Sequence, residues 1–135
     1  MRAERAHYPA ILAGHAAACS FFEACFDERS QYIEQLWVAH VDESARCIHL
    51  SRHQGGECDV NLPIRSIIAD AARLGSAGVV LAHNHPSGDS TPSLADCRAT
   101  RSLARAAEAI DLAVVDHLIF AEGSECHSLR RMGLL

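Results

Sequence analysis

The segment Glu34-Gln35-Leu36-Trp37-Val38-Ala39-His40-Val41-Asp42 alternates with period two, placing Leu36, Val38 and His40 on one face and Trp37, Ala39 and Val41 on the other. A strand largely apolar on both faces is expected near the centre of a sheet. Asp42 to Ala45 reads as a turn, and Arg46 to His53 as a returning strand with Cys47, His49 and Ser51 alternating against Ile48, Leu50 and Arg52. Gly55-Gly56 breaks that strand, and a short extended piece follows around Val60. Before these strands, a first helix is expected from near Pro9, a good first-turn residue, to about Phe26, weakened at Gly14; Asp27 to Gln31 is a polar connection. Pro63 opens a second helix over Ile64 to Leu74, closed by Gly75. Ala77 to Ala82 is a short buried strand running into a polar loop, His83 to Pro92. A third helix follows from Ser93 to about Ile110, then a strand from Leu112 to Phe120 and a last short one within Cys126 to Leu129. The order α, β-β, α, β, α, β predicts an α/β fold with a mixed β-sheet and helices packed on it. No repeat or low-complexity linker divides the chain. Residues 1–135 read as a single domain, with an N-terminal helical segment over 1–33 and a core over 34–135.

Composition narrows the class. The length suits one domain with a real core, and half of the residues are hydrophobic (49%). No apolar run approaches the ~20 residues that cross a bilayer, and the N-terminus shows no apolar leader. The expected setting is the cytoplasm, without membrane contact. The six cysteines form no C-x-x-C pair, so they read as reduced, mostly buried small apolar residues; none has the spacing of a zinc ligand. The formal net charge of −5 disfavours autonomous DNA binding, which needs clustered positive charge, although a local patch stays possible. All twelve basic residues are arginine, so lysine nucleophiles and Schiff bases are excluded.

The chemistry concentrates between Leu81 and Asp96. His83 and His85 are two apart at the end of a strand, so both imidazoles fall on one side. Converging neutral imidazoles suit a borderline-soft cation such as zinc. Pro86-Ser87-Gly88-Asp89 reverses the chain, and Asp96 enters in the first turn of the third helix, facing back toward the loop. Three protein ligands would leave a fourth tetrahedral position for water, as in catalytic zinc sites. Each feature alone has a plainer reading: Ser93-x-x-Asp96 as a helix capping pair, and His-Asn-His as a polar loop.

Together they resemble a known motif. His83-x-His85, seven residues, then Ser93-x-x-Asp96 resembles the JAMM (MPN-plus, JAB) metalloprotease motif. The fuller string His-Asn-His-Pro-Ser-Gly-Asp is similar to the RadC-like branch, a bacterial family associated with DNA repair. Glu34 to Asp42 resembles that family's first core strand. Ser51, Gly56, Pro63, Arg65, Val115 to Ile119, Ser128-Leu129 and Gly133-Leu134-Leu135 resemble later landmarks. The chain departs in splitting the family's Pro-Arg pair as Pro63-Ile64-Arg65 and in carrying Glu57 where threonine is usual. Longer members also carry a helix-hairpin-helix segment ahead of this domain, for which too few residues precede Glu34.

The resemblance implies a cytidine-deaminase-like JAB/MPN fold and one zinc per chain on His83, His85 and Asp96. It further implies Ser93 as hydrogen-bond donor to a developing oxyanion and Glu34 as general base, with Glu57 and Glu23 as lesser substitutes. The implied activity is zinc-dependent amide hydrolysis of an unidentified peptide or protein. The alternative is a DNA-repair-associated nucleic-acid or partner-binding module with little turnover. The remaining candidates have structural readings first: Asp116-His117 as a core pair or site support, His40 and His49 as packed or surface residues, Ser87 and Asp89 as turn formers. Arg98, Arg101 and Arg105 read as a solvated helix face that could steer an acidic partner. The first helix is apolar enough to pack on the sheet or on a second copy, giving a possible homodimer.

Overall fold

The computed structural model describes residues 10–26, 33–54, 62–122 and 126–135. Five strands form one mixed sheet in the order β2-β1-β3-β4-β5. β1 (Gln35–Val41) has every residue buried and pairs antiparallel with both β2 (Cys47–Gln54) and β3 (Gly78–Asn84), the interior placement that its two apolar faces require. β4 (Ala113–Phe120) runs parallel to β3, and the two-residue β5 (His127–Ser128) closes antiparallel on β4. The β1–β2 turn is held by Asp42, whose Oδ1 accepts from the Ser44 and Arg46 amides, with Ala45 at φ 62°.

Helices cover both faces. α1 (His15–Glu23) presses Ala18, Phe21 and Phe22 onto Trp37, Ala39, Val41, Val80, Ala82 and Leu118. Of the two surfaces open to the first helix, it therefore takes the sheet. α2 (Ile64–Leu74) and α3 (Leu94–Glu108) cover the opposite face, where Ile67, Ala71, Leu103 and Ala107 join Leu36, Val38, Val79, Leu81 and Val114. This three-layer α/β arrangement is consistent with a JAB/MPN-like fold. Gly75, at φ 67°, ends α2 in the left-handed conformation, its N–H returning to the Ala71 carbonyl.

Three expectations need adjustment. α1 begins at His15 rather than near Pro9, because Gly14 stands at φ 88° and the preceding chain is extended: Ile11 bridges Arg46, and the Leu12 amide donates to the Ala45 carbonyl. β3 continues two residues past Ala82, so His83 and Asn84 belong to the sheet rather than to a loop. α3 ends at Glu108, slightly short of Ile110. Pro9, Asp27 to Gln31, Gly55-Gly56, Glu57 and Val60 lie outside the described residues. No helix among the described residues is long and apolar enough to cross a membrane.

Candidate metal centre

Sheet register assembles the site. β1 and β3 pair with Leu36 opposite His83, so Glu34, two residues earlier on the same face of its chain, is carried to the C-terminal end of β3. Asn84 pins that entry: its Oδ1 accepts from the Gln35 amide (2.6 Å) and its Nδ2 donates to the Ile33 carbonyl (3.1 Å). Beyond the strand, the His85 amide donates to the Phe120 carbonyl, and the chain turns through Gly88 at φ 90°. Ser87 and Asp89 cap that turn through the Asp89 and Thr91 amides, the turn-forming role expected of them. Ser90, buried, joins the loop to β5 through His127 Nδ1 (2.6 Å). α3 then starts on a capping box: Ser93 Oγ accepts from the Asp96 amide (3.0 Å), and the Ser93 amide donates to Asp96 Oδ2 (2.8 Å).

The four residues proposed to carry or serve a cation converge. His83 Nε2 lies 2.9 Å from His85 Nε2, 3.5 Å from Asp96 Oδ1 and 3.7 Å from Glu34 Oε1, while His85 Nε2 is 3.2 Å from Asp96 Oδ2. The ligand atoms of Glu34, His83 and His85 lie within 4.8 Å of one another. The Asp96 carboxylate that completes the helix cap also lies beside both imidazoles, so the capping reading of Ser93-x-x-Asp96 does not exclude a ligand role. Ser93 is exposed; its hydroxyl accepts in the cap and keeps its own proton for donation.

A relay of hydrogen bonds orients His83. Thr100 Oγ1 donates to the Asp96 carbonyl (2.7 Å), so it accepts from His117 Nδ1–H (2.7 Å). His117 Nε2 is then an acceptor and takes the proton of His83 Nδ1 (2.6 Å). His83 Nε2 is left as a bare lone pair directed at His85 and Asp96. His85 is oriented the same way, its Nδ1 donating to the Asp89 carbonyl (2.8 Å). Such outer partners fix the tautomer of metal-binding histidines.

Burial sets the charges. Desolvation, reinforced by His117, pushes fully buried His83 well below the ordinary histidine value. His117 is pushed down to about 4 by the same cause. For Asp96, burial acts upward, but the hydrogen bonds from His85 and from Ser93 hold the carboxyl well below its usual range. His85 is raised, chiefly by its hydrogen bond to Asp96. The pocket thus holds a fixed anion, a neutral imidazole and one exchangeable proton on His85, a donor set that fits a divalent cation.

Sequence reasoning left several residues unweighted. His117 is both core and site support, whereas Asp116 accepts from the His117 and Arg130 amides and from Ser128, and anchors the C-terminal segment. Thr100 and Asn84 were not singled out. Thr100 lies one helical turn after Asp96, a spacing that could have flagged it, and Asn84 alternates to the face opposite the histidines. Glu23 sits on α1, across the sheet from His83, and so is removed as a substitute base; Glu57 lies outside the described residues. His40 is a packed residue, bonded to Ser76 Oγ (2.9 Å), and Arg98, Arg101 and Arg105 are exposed along α3.

A family profile described as the RadC-like JAB domain matches residues 12–134. The UPF0758 protein BAV2405 of Bordetella avium (strain 197N) is 35% identical over 108 residues, covering 78% of this chain and 47% of that protein. The UPF0758 protein YfjY of Escherichia coli (strain K12) is 35% identical over 103 residues, covering 76% and 64%. A UPF0758 protein of Chloroflexus aurantiacus (strain ATCC 29366 / DSM 635 / J-10-fl) is 43% identical over 74 residues, covering 55% and 32%. The matches span between about a third and two thirds of these relatives' own length.

Proposed function

The chain belongs to the RadC-like JAB domain family, and we propose that it is a zinc-dependent hydrolase of the JAMM type, cleaving an amide bond with metal-activated water. The observation that carries this reading is the relay from Thr100 through His117 to His83, which presents a lone pair beside His85, anionic Asp96 and Glu34. His83, His85 and Asp96 are the proposed zinc ligands. When bound there, zinc would lower the pKa of its water toward ~7 and polarise the scissile carbonyl.

The protein's own groups then divide the work. Glu34, partly exposed beside His83, takes the proton of the attacking water and returns it to the leaving amine. Ser93 offers its unused hydroxyl proton to the developing oxyanion, at a helix start whose amides also favour negative charge. Asp96, held by its cap, keeps its position without rotamer search.

Metal content of protein purified without added metal tests the site, with His85→Ala and Glu34→Gln as the variants. The expected result is one zinc fewer per chain in His85→Ala, and an unchanged zinc content with lost amide hydrolysis in Glu34→Gln. Zinc content unaffected by His85→Ala would refute the ligand set, and hydrolysis retained in Glu34→Gln would remove Glu34 from the mechanism. A second reading, a binding module for an acidic partner or nucleic acid, draws on the exposed stripe Arg98, Arg101 and Arg105 beginning just after Asp96. It is favoured if the zinc-loaded chain turns over no amide and retards DNA in a salt-dependent way.

A further inference from the structure

On the opposite face of the sheet, α1 and the chain entering β5 bring three soft ligands together. His15 and Cys19 are four residues apart on α1 and so share one side of the helix. Cys19 Sγ lies 3.4 Å from His15 Nε2 and 3.0 Å from Sγ of Cys126, which is 107 residues distant in the chain. One ligand atom from each of the three lies within 4.8 Å of the others, and all three residues are half-buried. This cluster shares no residue with the candidate hydrolase centre.

We propose that His15, Cys19 and Cys126 form a second cation site, for a thiophilic ion of the zinc class, that clamps α1 to the C-terminal end of the sheet. Tetrahedral zinc with Zn–S near 2.3 Å and Zn–N near 2.0–2.1 Å places two sulfurs about 3.8 Å apart and sulfur and nitrogen about 3.6 Å apart. The observed nitrogen–sulfur separation already matches, and the sulfurs need to part by less than an ångström. Cys19 Sγ now donates a hydrogen bond to Cys126 Sγ, so the two thiols are polar partners rather than plain apolar packing. A disulfide would need the sulfurs to close by about 1 Å, to ~2.05 Å, and would leave His15 without a part in the cluster. Two thiolates and an imidazole form a donor set that zinc uses in proteins, with the fourth position left to water or an added ligand.

The surrounding charge agrees. Burial raises both thiols, and the Asp116 and Glu23 carboxylates oppose a bare thiolate at either sulfur, against the Cys126 hydrogen bond and Arg131 at Cys19. The same negative field favours a cation, whose arrival would release the thiol protons.

The test is cobalt(II) titration of the reduced chain under anaerobic conditions, read by the thiolate-to-cobalt charge-transfer absorption in the near ultraviolet. The proposed hydrolase centre contains no sulfur and gives no such band, so failure of that reading leaves this test intact. The expected result is a band that saturates between one and two equivalents in the parent, the sulfur-free centre taking up cobalt without adding to it, and that is lost in Cys19→Ser and in Cys126→Ser. In His15→Ala, which keeps both thiols, the band should persist with affinity lowered tenfold or more, roughly the least that even an outer partner of a ligand contributes. No band in the parent would overturn the proposal, as would a band that survives both serine substitutions. A Cys19–Cys126 disulfide in the isolated chain that, once reduced, yields no cobalt band would overturn it in favour of a covalent staple.

Discussion

Replacing Thr100 by valine removes one hydroxyl from the interior and nearly preserves the side chain's shape, so its consequence can be followed proton by proton. Thr100 and His117 are both fully buried, and the hydroxyl bridges the Asp96 carbonyl and His117 Nδ1, each at 2.7 Å. Without it, His117 can keep its Nδ1 proton facing a methyl group, a buried unsatisfied donor costing ~1–3 kcal/mol. Alternatively the proton moves to Nε2, and His83, 2.6 Å away, must move its own proton to the nitrogen that faces the site. The metal-free variant is expected to take the second path, because Asp96 Oδ1, 3.5 Å from His83 Nε2, can receive that proton after a small approach. Zinc must then reverse the relay at the cost of the first path, ~1–3 kcal/mol, or about 5- to 150-fold in affinity. That range brackets the roughly 10–100-fold losses typical of removing an outer partner of a metal-binding histidine. Chelator competition measures it, with Thr100→Ser, which keeps the hydroxyl, expected near the parent. A Thr100→Val chain that binds zinc as tightly as the parent would show that the relay does not set the tautomer of His83.

Two further outcomes follow from the site and the core. Ser93→Ala should destabilise the fold by about 0.5–2 kcal/mol through loss of the α3 cap, and Ser93→Gly by only a few tenths. If the hydroxyl serves the oxyanion, both should lower kcat by roughly 10²–10³-fold, and full activity in Ser93→Gly would exclude that role. His40 is held down to about 4, first by burial and then by the charge of His49, with Arg73 and His53 acting the same way and Asp70 opposing. The unfolded chain therefore binds a proton that the folded chain refuses. The stability is whole above about pH 6.5 and is lost as pH falls toward 4, by on the order of 3 kcal/mol. Chemical denaturation of His40→Phe across that window should show a shallower acid slope than the parent, and an identical slope would mean His40 binds its proton alike in the folded and unfolded chain.

The parts of the fold that were legible in the chain are those where local pattern and tertiary demand coincide. β1 announces its interior place through two apolar faces, and α2 announces its end through Gly75. His83, His85 and Asp96 are legible as a group because one tight turn joins them, and the structure brings them together. Glu34 is a different case: no spacing ties it to the histidines, and only the pairing of Leu36 with His83 delivers it. Thr100 and its contact with His117 were opaque because that contact depends on how α3 settles against β4, a matter of packing rather than period. The start of α1 was misjudged because Pro9 signals a helix locally, while bridging of Ile11 to Arg46 draws the chain into extended form. The cysteines looked inert for the same reason that the His15, Cys19 and Cys126 cluster is informative, since its members are contiguous only in space.

The β3–α3–β4 crossover, residues 78–120, contains His83, His85, Asp96, Thr100 and His117, whereas Glu34 enters from just ahead of β1, beside His83. On the proposed reading, capture of an ion and its use in bond breaking would be written on separate stretches of chain, with independent tolerance to change. The hydrogen bonds that orient the three proposed ligands lie within the crossover, so a substitution at position 34 would turn a working hydrolase into a loaded receptor. Damage within the crossover abolishes both properties at once. Among relatives sharing this architecture, that asymmetry makes silent, ion-bearing descendants easier to reach than ion-free active ones.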